Sequence, residues 1–199
     1  MSSFWQEIHQ LDQAVTLSVN SWHTGFSDYI MTLFSDIGIW IPMYAVIVCF
    51  LFWRLGWKKA LIVIASAALA FGLCDQFSNV IKDSVARLRP CRDDIMLDGG
   101  LRVLEGGGGQ FGFFSAHAAN AFGFAVTTLI GFRHDRRLKY RGYAAWIFFW
   151  AFMVSISRVF VGKHYLGDIL AGAAVGVVFG LFTAWLARLA ISYISRNTR

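Results

Sequence analysis

"ILAGAAVGVVFGLFTAWLARLAISYI", Ile169 to Ile194, contains a single charge, Arg188. A helix that crosses a bilayer needs roughly 17 to 25 consecutive, mainly apolar residues, so this run reads as a span. Four more segments reach or approach that length: Ile37–Trp53, Ala60–Ile81, Ala116–Phe132 and Tyr143–Ile156, the last only if it continues into Val159. The composition agrees. The 199 residues are 57% hydrophobic and 17% aromatic, with 15% charged where about 25% is usual for a soluble domain. With only two prolines, long flexible linkers are not expected.

Ahead of these segments, Phe4, Ile8, Leu11, Val15, Val19 and Trp22 recur at steps of three or four, the period of an amphipathic helix. With Glu7, Gln10 and Asp12 on it, that helix is expected to lie in the membrane interface rather than cross it. Tyr29 to Phe34 is too short to span alone. The expected fold is all-α: a polytopic membrane helical bundle of about five to six spans behind an interfacial N-terminal helix.

No basic region followed directly by an apolar core opens the chain, so the first long helix is expected to act as an uncleaved signal anchor. Cys49, Cys74 and Cys91 make no disulfide framework: two fall inside expected spans, and Cys91 is a lone thiol. Basic residues mark alternate loops, in "RLGWKK" (Arg54 to Lys59), "RHDRRLKYR" (Arg133 to Arg141) and the tail "RNTR" (Arg196 to Arg199). The positive-inside rule puts all three at the cytoplasm and the N-terminal helix outside, which five crossings satisfy. The net charge of +6 is thereby mostly topology, and nucleic acid is not an expected partner.

The two outward loops carry charges that topology leaves unexplained. "KDSVARLRP" holds Lys82 and Arg89 seven residues apart, on one face if the helix persists; Pro90 stops it near Arg89. "FFSAHAAN" places Ser115 as an N-cap and His117 in the first turn of a span, where free N–H groups favour an anion. Between them "EGGGGQFG", Glu105 to Gly112, reads as a flexible loop or a lid. "SRVFVGKHYLGD", Ser157 to Asp168, offers Arg158 as a planar fork and sets His164 four residues before Asp168. An aspartate on one ring nitrogen fixes the tautomer and leaves the other nitrogen to attack. Each cluster alone also reads as snorkelling cations or a capped helix. Together they put three cations, a helix N-terminus and two histidines at one membrane face, a receptor for a dianionic phosphate. One histidine can attack phosphorus while the other protonates the leaving oxygen. A histidine pair with one carboxylate amid three cations would repel a divalent metal.

The chain resembles the type 2 phosphatidic acid phosphatase (PAP2) superfamily, in its membrane-bound bacterial lipid phosphatase branch. That family's signature is K-x6-R-P, P-S-G-H and S-R-x5-H-x3-D. Here stand Lys82-x6-Arg89-Pro90, Phe114-Ser115-Ala116-His117 and Ser157-Arg158-x5-His164-x3-Asp168. The first and third match in full; Phe114 and Ala116 replace the family's proline and glycine. The resemblance implies one PAP2-like domain over 1–199, with 1–36 as interfacial helices and 37–199 as the transmembrane catalytic bundle. It implies His164 as nucleophile, Asp168 orienting it, and His117 as general acid. Lys82, Arg89, Ser115, Ala116 (through its N–H) and Arg158 would hold phosphate, with no metal or other cofactor. The alanine costs about 1 kcal/mol only if that position needs a positive φ.

The resemblance thus implies a lipid phosphatase of the bacterial cytoplasmic membrane with its site on the extracytoplasmic side. Undecaprenyl pyrophosphate is the first expected substrate, with phosphatidylglycerophosphate, phosphatidic acid and lipid A phosphates as alternatives. A catalytically inactive lipid- or anion-binding membrane protein is the reading of another class. Gly172, Gly176 and Gly180 leave a smooth stripe on the last span, suited to close packing inside the bundle or to a homodimer seam. Asp75, Gln76 and Asn79 are expected to hydrogen-bond in the bundle interior.

Overall fold

The structure, a computed structural model, describes residues 3–135 and 137–197. Arg136, Thr198 and Arg199, counted above in the basic loops, lie outside the described residues, as do Met1 and Ser2 of the N-terminal segment. Helix α1 is Ser3–Asn20 and α2 is Gly25–Ser35. The long elements are α3 (Ile41–Leu55), α4 (Trp57–Val85), α6 (Ala116–Phe132), α7 (Arg141–Phe160) and α8 (Leu166–Asn197), with a short α5 (Asp94–Asp98) between α4 and α6.

Local sequence explains the boundaries. Thr24 and Ser27 form a reciprocal capping box that starts α2. A 3-10 turn, Gly38–Trp40, leads into α3, whose second residue is Pro42, where its missing N–H costs nothing. Gly56, at φ 73°, ends α3 and opens α4, a reversal that a Cβ would resist.

Among the described residues, four helical segments are long and apolar enough to cross a membrane: Gly38–Leu55, Trp57–Val85, Arg141–Phe160 and Leu166–Arg196. The fifth expected span, α6, is an apolar helix of 17 residues, about 25 Å long at 1.5 Å per residue. It is the interior helix of the bundle. Ala118, Ala119, Ala121, Gly123 and Ala125 are buried on it, because α8 meets it along the glycine stripe. A Cβ on Gly172 would strike Ser115 O, one on Gly176 would strike Ala119 O, and one on Gly180 would lie 2.9 Å from Gly123 O. The stripe is consumed by α6, so it offers no seam to a second copy, and the homodimer expectation loses its ground.

Lower in the bundle Ile47, Leu51, Val63, Phe132, Ile147 and Trp150 form the main apolar core, while Val46, Trp53, Phe149, Val178 and Trp185 point outward. An apolar exterior over polar helix ends is the arrangement a bilayer selects. Of the polar trio on α4, Asp75 bonds inward to Asn120 at 2.9 Å. Gln76 and Asn79 are exposed, against expectation, because they lie on the outer face of α4. Cys74 is buried, Cys91 half-buried and Cys49 exposed on α3, all three as free thiols.

Helix α1 departs from a simple interfacial role. Its apolar residues Phe4, Trp5, Ile8 and Leu11 are exposed, and its polar face is the one that packs on protein. Asp12, Thr16 and Asn20, at four-residue steps, run along the turn that joins α7 to α8. Asn20 Nδ2 donates to Val159 O and Phe160 O at 3.0 and 3.1 Å, closing carbonyls at the end of α7. Thr16 Oγ1 accepts from Leu166 N at 3.0 Å and Asp12 Oδ1 from Gly167 N at 2.8 Å, satisfying amides that open α8. Gly162, at φ 78°, makes the turn itself; a Cβ there would meet Arg102 O at 2.9 Å.

Candidate active site

The C-terminal ends of α4 and α7 and the N-terminal ends of α6 and α8 meet at one end of the bundle, and the three polar clusters meet with them. Helix α4 stops at Val85, and Ala86 is left-handed at φ 50°. Lys82 and Arg89 therefore do not share a helix face, as a persisting helix would have required. A turn carries the chain back, Arg89 N donates to Gln110 O at 3.1 Å, and Leu88 and Phe111 form a lone antiparallel bridge. Arg89 is extended before Pro90, as that neighbour dictates, and its Nε donates to Phe111 O at 3.1 Å. Lys82 sits within electrostatic reach of Arg89, Asp75 and Asp168.

Ser115 caps α6, its hydroxyl accepting from Ala118 N at 3.5 Å and its own N–H donating to Asp168 O at 3.0 Å. Ala116 is the first residue of α6 and does not have a positive φ. The replaced glycine thus carries no backbone cost here. Phe114 is buried against Phe77 and near Cys74 and Ala119, so its ring fills the bundle top.

His164 and Asp168 form the innermost pair, with Nδ1 3.3 Å from Asp168 Oδ2. The same oxygen accepts from Tyr165 N at 3.0 Å, and Oδ1 accepts from Arg87 at 2.8 Å. Both side chains are essentially removed from solvent. Burial pushes the His164 imidazole down to about 4, with the Asp168 carboxylate opposing that shift. His164 is therefore neutral at ordinary pH and able to act as a nucleophile.

Beside this pair lies a cavity of about 640 Å³ lined by Arg89, Glu105, Gly106, Gly108, His117, Arg158 and Lys163, with Ser35 and Asp36 at its edge. Arg158 donates to Ser35 Oγ and, at 3.1 Å, to Glu105 Oε2. Its buried Nε has no partner among the described residues, which leaves a donor to be satisfied by a ligand. Lys163 Nζ donates to Gly106 O at 2.8 Å and to Gly107 O. The glycine run is thus drawn over the cations by Glu105 and Lys163, the lid placement rather than a free loop. Burial lowers the proton affinity of both Arg89 and Lys163.

Two further cavities continue the first. One of about 230 Å³ shares Ser35, Ile37 and His117 with it and adds Asp75 and Asn120. Another, of about 390 Å³, shares Ile37, Tyr44, Phe71 and Asn120 with the second and is almost wholly apolar, between α3, α4 and α6.

Every residue expected at the site is at this end of the bundle. Sequence reasoning missed Glu105, Lys163, Arg87 and Asp12. Lys163 stood inside the quoted third motif and Arg87 inside the first, two residues before Arg89; Asp12, Thr16 and Asn20 announced themselves only by their spacing of four.

The sequence pattern of the PAP2 superfamily matches residues 59–191. The chain belongs to the PAP2 superfamily. This PAP2 protein is 34% identical over 193 residues, 96% of its own length and 83% of the relative's, to the lipid A 4'-phosphatase of Bacteroides thetaiotaomicron. It is 30% identical to that of Porphyromonas gingivalis over 176 residues, 88% of this chain and 72% of the relative. Its fold is similar to that of the transmembrane PAP2 type phosphatidylglycerolphosphate phosphatase from Bacillus subtilis, with a TM-score of 0.68 at 19% identity over 92% of this chain and 87% of that one. Aquifex aeolicus LpxE follows at 0.62, again at 19% identity, over 85% and 92%. The PAP2 protein is a multi-pass membrane lipid phosphate phosphatase of a metal-independent family.

Proposed function

We propose that the protein hydrolyses a phosphate monoester of a lipid A-type glycolipid on the extracytoplasmic face, through a phosphohistidine at His164. The observation that carries the chemistry is the neutral, buried His164–Asp168 pair beside a cavity holding Arg89, Arg158, Lys163 and His117. Asp168 holds Nδ1–H, leaving Nε2 to attack phosphorus. As the N–P bond forms, the P–O ester bond breaks, and His117 gives its proton to the departing alcohol oxygen. Water then attacks the phosphohistidine, passing its proton to His117; the N–P bond breaks and inorganic phosphate leaves. Lys82, Arg89, Arg158, the Ser115 cap and the Ala116 N–H stabilise the oxygens as charge builds on them.

The substrate class rests on the relatives. Both lipid A 4'-phosphatases cover most of this chain, which favours the lipid A alternative over the undecaprenyl pyrophosphate expected first. The chained cavities suit such a molecule, with a polar chamber for the phosphate and an apolar groove for acyl chains. The basic ends at Arg54, Lys58 and Lys59 lie opposite the site, which supports an outward-facing cavity. Residues 1–36 and 37–199 act as one catalytic unit in this reading, supported by the hydrogen bonds from α1 to the segment around His164.

The test is phosphate release by purified protein from lipid A, undecaprenyl pyrophosphate, phosphatidylglycerophosphate and phosphatidic acid, each with excess chelator and beside His164→Ala. The reading expects the highest kcat/KM on lipid A and acid-labile phosphate on the parent but not on His164→Ala. A preference for undecaprenyl pyrophosphate would overturn the substrate, and an active His164→Ala would overturn the mechanism. No release from folded protein would favour the binding-protein alternative.

A further inference from the structure

Arg87 takes no part in the steps of that reaction, yet it touches the aspartate behind the nucleophile. One amino group donates to Asp168 Oδ1 at 2.8 Å. The other donates to Asp12 Oδ2 at 2.7 Å and lies 3.1 Å from His9 Nδ1. The guanidinium rests on the Tyr165 ring, 3.8 Å from its centroid, and the Tyr165 hydroxyl is held in turn by Asp93 at 2.5 Å. Asp12 is fixed from its other side, since Oδ1 accepts from Gly167 N at 2.8 Å. The missing side chain at Gly167 permits this contact, since a Cβ there would lie 2.6 Å from Asp12 Oδ2 and displace the carboxylate.

Geometry gives this arrangement a purpose. An arginine facing a lone carboxylate prefers a bidentate pair, two parallel N–H···O bonds to both oxygens. Such a pair with Asp168 would draw Oδ2 away from His164 Nδ1 and Tyr165 N, the two donors it now serves. Because Asp12 takes the second amino group, which either bidentate geometry would need, Arg87 meets Asp168 through the first amino group alone, at Oδ1. Asp168 is fully buried. Without Arg87, its Oδ1 would be a buried oxygen with no other hydrogen-bond donor among the described residues.

We infer that Asp12 and Arg87 are positioning residues: Asp12 divides the Arg87 fork so that Asp168 is held through Oδ1 and free to orient His164 with Oδ2. Helix α1 thereby belongs to the catalytic machinery. This rests on the roles proposed for His164 and Asp168.

The experiment compares Asp12→Asn, Arg87→Gln and the double variant, with His164→Ala alongside, on the best lipid phosphate substrate in detergent. Asp12→Asn keeps the acceptor for Gly167 N and removes the charge that divides the fork. The expected result is a kcat about tenfold lower in each single variant. KM and inhibition by inorganic phosphate should stay within about twofold of wild type, because neither residue lines the phosphate cavity. The double variant should fall about as far as either single one, since the two residues act as one unit. A loose structural role would instead multiply the two losses, or raise KM and weaken phosphate inhibition in step with kcat; either pattern overturns the inference, as does a wild-type kcat in Asp12→Asn. If Arg87→Gln does not fold, the split between kcat and KM in Asp12→Asn decides alone. An active His164→Ala would mean that the underlying mechanism had failed; an inactive one beside a normal Asp12→Asn would mean that only this inference had.

Discussion

Glu105 Oε2 lies 3.1 Å from Arg158, so the guanidinium expected to receive phosphate is already engaged by a carboxylate of the same chain. A substrate phosphate meets Glu105 there as a competing anion. A dianion has the advantage in that competition, since it brings more charge to the same fork and can also take the unpaired Nε.

Glu105→Gln should therefore strengthen phosphate binding. KM and the inhibition constant of inorganic phosphate are expected to fall about three- to tenfold, the order of one net hydrogen bond, with kcat changed less. Product-inhibition kinetics on the purified variant measure both. A rise in both constants would mean that Glu105 assists binding instead of competing with it.

Lys163, like Arg87, is a cation that sequence reading passed over. Its ammonium faces backbone carbonyls of Gly106 and Gly107, with no carboxylate directly on it among the described residues, so it holds charge in reserve beside Arg89 and Arg158. Lys163→Met is expected to raise KM about tenfold or more, the scale of one hydrogen bond to a charged group. Lys163→Arg should restore part of that loss. Equal KM in wild type and Lys163→Met would limit Lys163 to holding the lid.

Much of this was legible in the sequence, and what was hidden shares a physical cause. Apolar runs announce spans because bilayer thickness sets their length, and Ala60–Ile81 differs from the observed Trp57–Val85 only in the fraying of its ends. The motif residues carry their chemistry in their type and spacing. Asp12 and Glu105 do not: their partners Gly167 and Arg158 lie 155 and 53 positions away, and no local period reports such a pairing. Helix α1 was recognised as amphipathic, but its orientation was not. Periodicity gives the two faces of a helix and leaves open whether the polar one meets water or a buried turn.

The acid side of the pH profile should carry the signature of the buried pair. Neutral His164 is the attacking form, so protonation on lowering pH through its folded value, about 4, shuts off attack. The Asp168 carboxylate raises that value by favouring the imidazolium, against the larger effect of burial. Asp168→Asn removes the raising partner. The residual kcat/KM should be much lower at its plateau, and its acid limb should move to lower pH. A pH series of acid-labile phosphate formation would show this; a limb displaced upward would contradict the assignment.

Gly176 offers a test of what the glycine stripe does. Its Cα faces the backbone of Ala119 so closely that any Cβ would strike the carbonyl, and α6 carries Ser115 and His117 within about a turn of that contact. Gly176→Leu must push α8 from α6 or bend one of them, and overpacking of this kind costs about 1–3 kcal/mol or more. The expected outcome is a melting temperature several degrees lower, with kcat reduced because Asp168 on α8 and His117 on α6 move apart. The elution volume of the folded fraction in detergent should be unchanged, since α6 and not a second copy fills the stripe. If instead the parent elutes as a dimer and Gly176→Leu as a well-folded monomer, the stripe would be a seam between copies, and the packing of α6 on α8 would have to be redrawn.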